Sequence, residues 1–213
     1  MEIVKAPLRQ RFLGHSRKGV TVDEVVLHES VGRTSAISYL KRKGYGVHYE
    51  ISMAGIVTSH CPVGRSVAHA GGGHNRRSIG IEHVSPYYGS HARQGDMVIE
   101  ASWAHKGRYI VPLRAQCEAS WQLTAHLCTL HDIPFHWPGV TGRFAFKWGR
   151  VANHEMPGIM AHHRWHHADG LFFEHYSLCR YLGMDPTESH QKTLLLASCG
   201  KGHTDLPLDL SIG

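Results

Sequence analysis

Three widely separated stretches hold the residue types that could do chemistry. Val25-Val26-Leu27-His28-Glu29-Ser30 is an apolar run that closes on a histidine. His69-Ala70-Gly71-Gly72-Gly73-His74-Asn75-Arg76-Arg77 is a glycine-rich loop, and it runs into Ser78-Ile79-Gly80-Ile81-Glu82-His83-Val84. Gly158-Ile159-Met160-Ala161-His162-His163-Arg164-Trp165-His166-His167-Ala168-Asp169-Gly170 gathers four histidines and one aspartate within eight residues. Glu82 lies among apolar neighbours, where a carboxylate is costly to bury without a partner or a task. Ion pairing with Arg76 or Arg77 is the plain alternative for it. Imidazoles and carboxylates at strand ends and in loops suit a metal centre that keeps one position open for water. The chemistry this points to is metal-assisted hydrolysis with zinc, and with Glu82 beside the metal.

The elements that must position these groups follow from pattern. Residues 24–29 are apolar and β-branched, which predicts a central strand buried on both faces. Thr34 can cap a helix from Ser35 to about Lys43, with Ile37 and Leu40 on its apolar face and Gly44 closing it. Val47–Ile51 and Ile56–Thr58 read as a hairpin, and 78–84 as the strand that carries Glu82. Residues 85–110 are polar and irregular and read as a surface excursion ending in a strand near Tyr109–Val111. A long helix spans 113–130, with Leu113, Cys117, Trp121, Thr124, Leu127 and Cys128 on one face. The aromatic stretch 135–157 is too long for a simple connection and reads as a flap over a groove, or as core beneath a long loop. Ile159-Met160 is a short strand, and Phe172–Leu182 a helix. Within a tail of residues 184–213, Thr187–Ser198 could form a small amphipathic helix using Leu194, Leu195 and Leu196.

Taken in order, these motifs resemble the zinc-dependent N-acetylmuramoyl-L-alanine amidases of type 2, a group that includes phage endolysins and peptidoglycan recognition proteins. The pattern is a strand ending in His, then His-Ala-Gly, then Asn-x-x-Ser-Ile-Gly-Ile-Glu, a helix, and Gly-Ile-x-x-His followed by Asp-Gly. It covers roughly residues 22–182. The resemblance implies an α/β fold with a central mixed β-sheet of five or six strands flanked by helices, and a catalytic domain over 1–183. It implies Zn2+ held by His28, His162 and Asp169, with His163 and His166 as alternative ligands. It implies Glu82 as general base, and His167 at the place where the family commonly has a lysine, as acid or oxyanion donor. His69, Asn75 and His48 are implied to line or support the substrate groove. Asp169-Gly170-Leu171-Phe172 resembles the family's Asp-Pro-Gly-Pro run before an aromatic residue, without either proline.

Bulk properties bound the rest. The chain has 213 residues, 42% hydrophobic, enough for one domain with a core. A net charge of +6 and a pI near 9.2 favour an anionic partner such as bacterial cell wall. Neither an RNP-type nor a helix-turn-helix signature is present, so nucleic acid is the weaker partner. The 20 histidines far exceed what one site uses, so position must choose the ligands. Five cysteines with no Cys-x-x-Cys argue for a reducing compartment. With no signal-peptide or membrane-spanning run, the reading is synthesis in the cytoplasm and action on the wall after release. The monomer is the favoured state. The expected activity is cleavage of the amide between N-acetylmuramic acid and L-alanine, in an endolysin. The alternatives are a cytoplasmic muropeptide-recycling amidase, a peptidoglycan-binding protein without catalysis, and a histidine-rich metal-binding protein.

Overall fold

The strand β2 (Glu24–Glu29) is buried at all six positions, as its apolar, β-branched composition requires of a strand covered on both faces. It pairs in parallel with β5 (Ser78–His83), which sets Val25 against Ile79 and His28 against Glu82. On its other side it pairs in parallel with β8 (Gly158–Ala161), which sets Leu27 against Ala161. This computed structural model describes residues 2–6, 14–71, 73–138, 156–162 and 169–198.

The remaining strands extend the sheet beyond β5. β3 (Tyr49–Ile51) lies parallel to β5 and forms an antiparallel hairpin with β4 (Val57–Ser59), against which β1 (Ile3–Lys5) runs parallel. The result is a six-stranded mixed sheet in the order β1-β4-β3-β5-β2-β8, and helices flank it. A polar row runs across its centre, because His28, Glu82 and Glu50 are register partners on β2, β5 and β3.

The helix α1 (Ile37–Lys43) is shorter than the sequence pattern suggests, and Thr34 does not cap it. Its cap comes from the sheet: the Glu50 carboxylate accepts from the Ala36 N–H at 2.9 Å and the Ser35 hydroxyl at 3.0 Å. A buried acid thereby satisfies helix donors that a local side chain usually takes. A single turn, α2 (His74–Arg77), precedes β5. The long helix α3 (Arg114–Leu130) buries Cys117, Leu123, Thr124, Leu127 and Cys128, whereas Leu113 stands exposed just before it. Leu123 is fully buried, and Trp121, expected on the apolar face, is only partly so. α4 (Leu171–Tyr181) is buried along nearly its whole length and packs under β2 and β8.

Residues 85–110 are not a surface excursion. β6 (Val98–Glu100) and β7 (Arg108–Ile110) form a second small sheet, and Tyr87, Trp103 and Tyr109 are core residues. Each polar tip has a protein partner, which is what lets large aromatics be buried: Tyr109 donates to Glu29 at 2.7 Å, and the Trp103 indole to the Ala197 carbonyl at 2.8 Å.

That carbonyl belongs to α5 (Pro186–Ser198), which packs on α4 through Ser189, Thr193 and Ala197, while Leu195 points to solvent. Of the three leucines expected on its apolar face, Leu194 packs against the core, Leu196 is half-buried and Leu195 is exposed, while the fully buried positions are Ser189, Thr193 and Ala197. Of the aromatic stretch 135–157, Trp137 is buried and donates to Ser177 at 2.8 Å, and Phe135 stacks on Tyr181. The rest of that stretch, residues 139–155, lies outside the described residues. Cys61, Cys117, Cys128 and Cys179 are free thiols and all buried. Among the described residues no helix is long and apolar enough to cross a membrane.

Candidate active site

The C-terminal ends of β2, β5 and β8 meet at a groove of about 870 Å³. Its floor holds His28, Glu82, His162 and Asp169, and one wall is built from α1 and its flanks, including Tyr39, Leu40 and Tyr45. Ligating atoms of His28, His162 and Asp169 lie within 4.8 Å of one another, and all three residues are buried. His162 Nδ1 is 3.2 Å from Asp169 Oδ2, and the His28 and His162 rings are 4.5 Å apart. Two imidazoles and a carboxylate, converging at strand ends beside a groove, make a three-residue site open to a further ligand.

Backbone placement explains the convergence. His28 and Glu82 are aligned by strand register, and His162 follows β8 directly. Asp169 is fixed by the next residue. Gly170 has φ 78°, and a Cβ there would sit 2.0 Å from the Leu27 carbonyl, so the Asp-Gly turn is pressed onto the end of β2. The Gly170 N–H donates to Glu29 at 2.8 Å.

Glu82 is 7% exposed and faces the groove. Arg77 is engaged by Asp23 and Glu24, and Arg76 is exposed, so the ion-pair alternative for Glu82 is not what the structure has. Burial pushes the Glu82 carboxyl well above the usual range, and Asp169, Glu50 and Glu29 push it further.

The residues expected to bind substrate divide. His69 lines the groove, but its ring is engaged on both sides, with Nδ1 3.0 Å from His28 Nε2 and Nε2 3.1 Å from Ser78 Oγ. Asn75 also lines the groove, and its Oδ1 accepts from the N–H groups of His69, Ala70 and Gly71, so it shapes the loop. His48 is fully buried beneath the site. Its Nε2 donates to the Arg65 carbonyl and its Nδ1 accepts from Gly80 N–H, so it supports the loop and strand and does not line the groove. His163, His166 and His167 lie outside the described residues.

Sequence reasoning missed Glu29. It is buried, accepts from Tyr109 at 2.7 Å and Ser85 at 3.0 Å on one oxygen, and from Gly170 on the other. Burial raises its pKa to about 7, and the donors from Tyr109, Gly170 and Ser85 hold it from going higher. The signal was available: Glu29 is an acid ending an apolar strand, the same feature that singles out Glu82.

Comparison with known proteins decides the family. The profile of the Amidase_2 family, N-acetylmuramoyl-L-alanine amidase, matches residues 18–170. The chain belongs to this family. It is an enzyme of that amidase class, and the matched span carries β2, β5, β8 and all four groove-floor residues. Among solved structures, PlyL is similar with a TM-score of 0.50 at 13% identity, over 91% of this chain and 97% of that one. The N-acetylmuramoyl-L-alanine amidase LysC from Clostridium intestinale URNW gives 0.49 at 15% identity, over 76% of this chain and 83% of the other. At these identities the likeness is one of fold. No curated protein matches the chain by sequence.

Proposed function

We propose that the chain is a zinc-dependent peptidoglycan amidase of endolysin type. The reaction is hydrolysis of the amide between the lactyl carbonyl of N-acetylmuramic acid and the nitrogen of L-alanine. The observation that carries this reading is the convergence of His28, His162 and Asp169 beside Glu82 on the floor of one groove.

The donor set fits zinc: two imidazoles and one carboxylate, all buried, with room on the groove side for a fourth ligand. Zinc held by these three residues would polarise the scissile carbonyl and lower the pKa of a water towards ~7. Glu82 accepts a proton from the attacking water and returns it to the departing alanine nitrogen, so the C–N bond breaks to a carboxylate and a free amine. Its raised affinity for protons suits a group that must hold one between those two events. The α1 wall, with Tyr39 and Tyr45, orients the glycopeptide and keeps bulk water from one side of the floor. His167 is assigned the donor role that stabilises the developing oxyanion. The net charge of +6 favours an anionic wall, which the enzyme would reach after release from the cytoplasm.

The test is release of peptides with a free L-alanine terminus from purified peptidoglycan, with and without chelator, for wild type and Glu82→Gln. The reading requires loss on chelation, recovery with zinc, and a fall of about 100-fold or more in the variant with zinc still bound. Activity on intact wall supports the endolysin role, and activity confined to soluble muropeptides the recycling one. Zinc-loaded protein that binds wall but releases nothing is a recognition protein, and the proposal fails.

A further inference from the structure

His69 was expected to touch substrate, yet its ring is engaged by protein on both nitrogens. The hydrogen bonds fix which nitrogen carries the proton. Ser78 Oγ lies 2.5 Å from the His74 carbonyl oxygen, which can only accept, so the single hydroxyl proton is committed there. His69 Nε2 lies 3.1 Å from the same Oγ and must therefore be the donor in that pair. A neutral imidazole has one N–H, so His69 Nδ1 carries a lone pair. His28 Nε2, 3.0 Å away, must then be protonated and donate to it.

We infer that the His74 carbonyl, Ser78 and His69 form a relay that fixes the tautomer of His28, so that His28 binds the metal through Nδ1. His69 is then a positioning residue that acts through His28. The inference rests on the metal-site reading of the groove floor.

The packing around His69 is consistent with a ring that must not turn. A Cβ on Gly80 would come within 2.7 Å of His69 Nδ1, so the strand is bare where the ring crosses it. Asn75 pins the backbone N–H of His69 at 2.9 Å. The His48 ring stands perpendicular to it at 5.8 Å. Metal-bound histidines generally donate their second N–H to an oxygen acceptor, and loss of that acceptor weakens metal binding. Here the acceptor is a second imidazole, itself oriented by a serine.

The deciding measurement is NMR of protein with ¹⁵N-labelled histidine, with and without zinc, His28 and His69 being assigned by the signals lost in His28→Gln and His69→Gln. The relay requires His69 protonated on Nε2 in both states, and His28 protonated on Nε2 with Nδ1 shifted on zinc binding. His69 protonated on Nδ1, or zinc on His28 Nε2, overturns it. The metal-free spectrum tests the relay whether or not zinc binds, so its failure is separable from failure of the amidase reading. Zinc affinity by chelator competition gives a second readout. His69→Phe should bind on the order of 10–100-fold more weakly. His69→Gln, which keeps one acceptor and one donor, should recover part of that loss, and Ser78→Ala should lose less than His69→Phe. Unchanged affinity in folded His69→Phe would also overturn the relay.

Discussion

The chemistry of this chain depends on a few buried polar side chains, and several are held by partners remote in sequence. Glu29 is the clearest case. One carboxylate takes donors from the end of β5, from β7 and from the Asp169-Gly170 turn. A glutamine cannot accept all three, because one end of its amide only donates. Glu29→Gln should therefore lower stability by about 2 kcal/mol, read as a shift in the urea midpoint. It should also release zinc faster to a chelator, since the turn holding Asp169 loses its anchor. An unchanged midpoint and unchanged zinc retention would show that the network does not position the site.

At the scale of elements, two features carry more of the site than their size suggests. The helix α1 has no buried residue, so packing holds it weakly, and the Glu50 cap matters correspondingly. Glu50→Ala should cost about 1 kcal/mol and should speed amide hydrogen exchange across 37–43 while leaving α3 protected. Exchange that rises equally in both helices would mean the variant is globally destabilised and the cap is not local. The Gly170 turn is the second feature. Ala at this position combines a positive φ with a Cβ 2.0 Å from the Leu27 carbonyl. Gly170→Ala should lower the melting temperature by several degrees, from roughly 1–3 kcal/mol of strain. It should weaken metal binding as well, because Asp169 must move with the turn. A melting temperature within a degree of wild type would show that the turn yields at no cost.

At the scale of the molecule, buried histidines couple folding to pH. Burial is the first cause that pushes both His48 and His83 down to about 3; Arg17 adds to it at His48, and a hydrogen bond to the His28 carbonyl opposes it at His83. In the folded protein both stay neutral above that value, whereas in the unfolded chain they take protons near 6.5. As pH falls the unfolded state binds more protons, so stability falls with it, starting near pH 6.5 and continuing to about 3. Between pH 7.5 and 5.5 each histidine should cost about 1.4 kcal/mol, or about 2.7 kcal/mol together. The buried carboxyls Glu29 and Glu82 act in the opposite sense, because they take up protons in the folded protein as pH falls. The histidine contribution is therefore read as the difference in pH dependence between wild type and His83→Gln in urea titrations of metal-free protein, and an identical pH dependence in the two would mean that this ring takes protons while folded.

Local pattern determined much of this protein. The strands β2, β5 and β8, the burial of β2, the long helix α3 and the groove-floor residues His28, Glu82, His162 and Asp169 are written as short motifs. His28 and His162 each close an apolar run, and parallel pairing brings their strands' ends beside Glu82. Register is what turns such motifs into a site: His28 faces Glu82 because the two strands pair in parallel over their full length. Tertiary structure alone decided which acid caps α1, that residues 85–110 are core, and that α5 packs through small residues. It also decided that the His69 ring meets His28 and Ser78 at the groove. Those outcomes depend on partners up to 94 positions away, and no local periodicity encodes which distant donor will meet a buried acceptor. The pairing follows from the cost of leaving either one unsatisfied once the chain has closed around it.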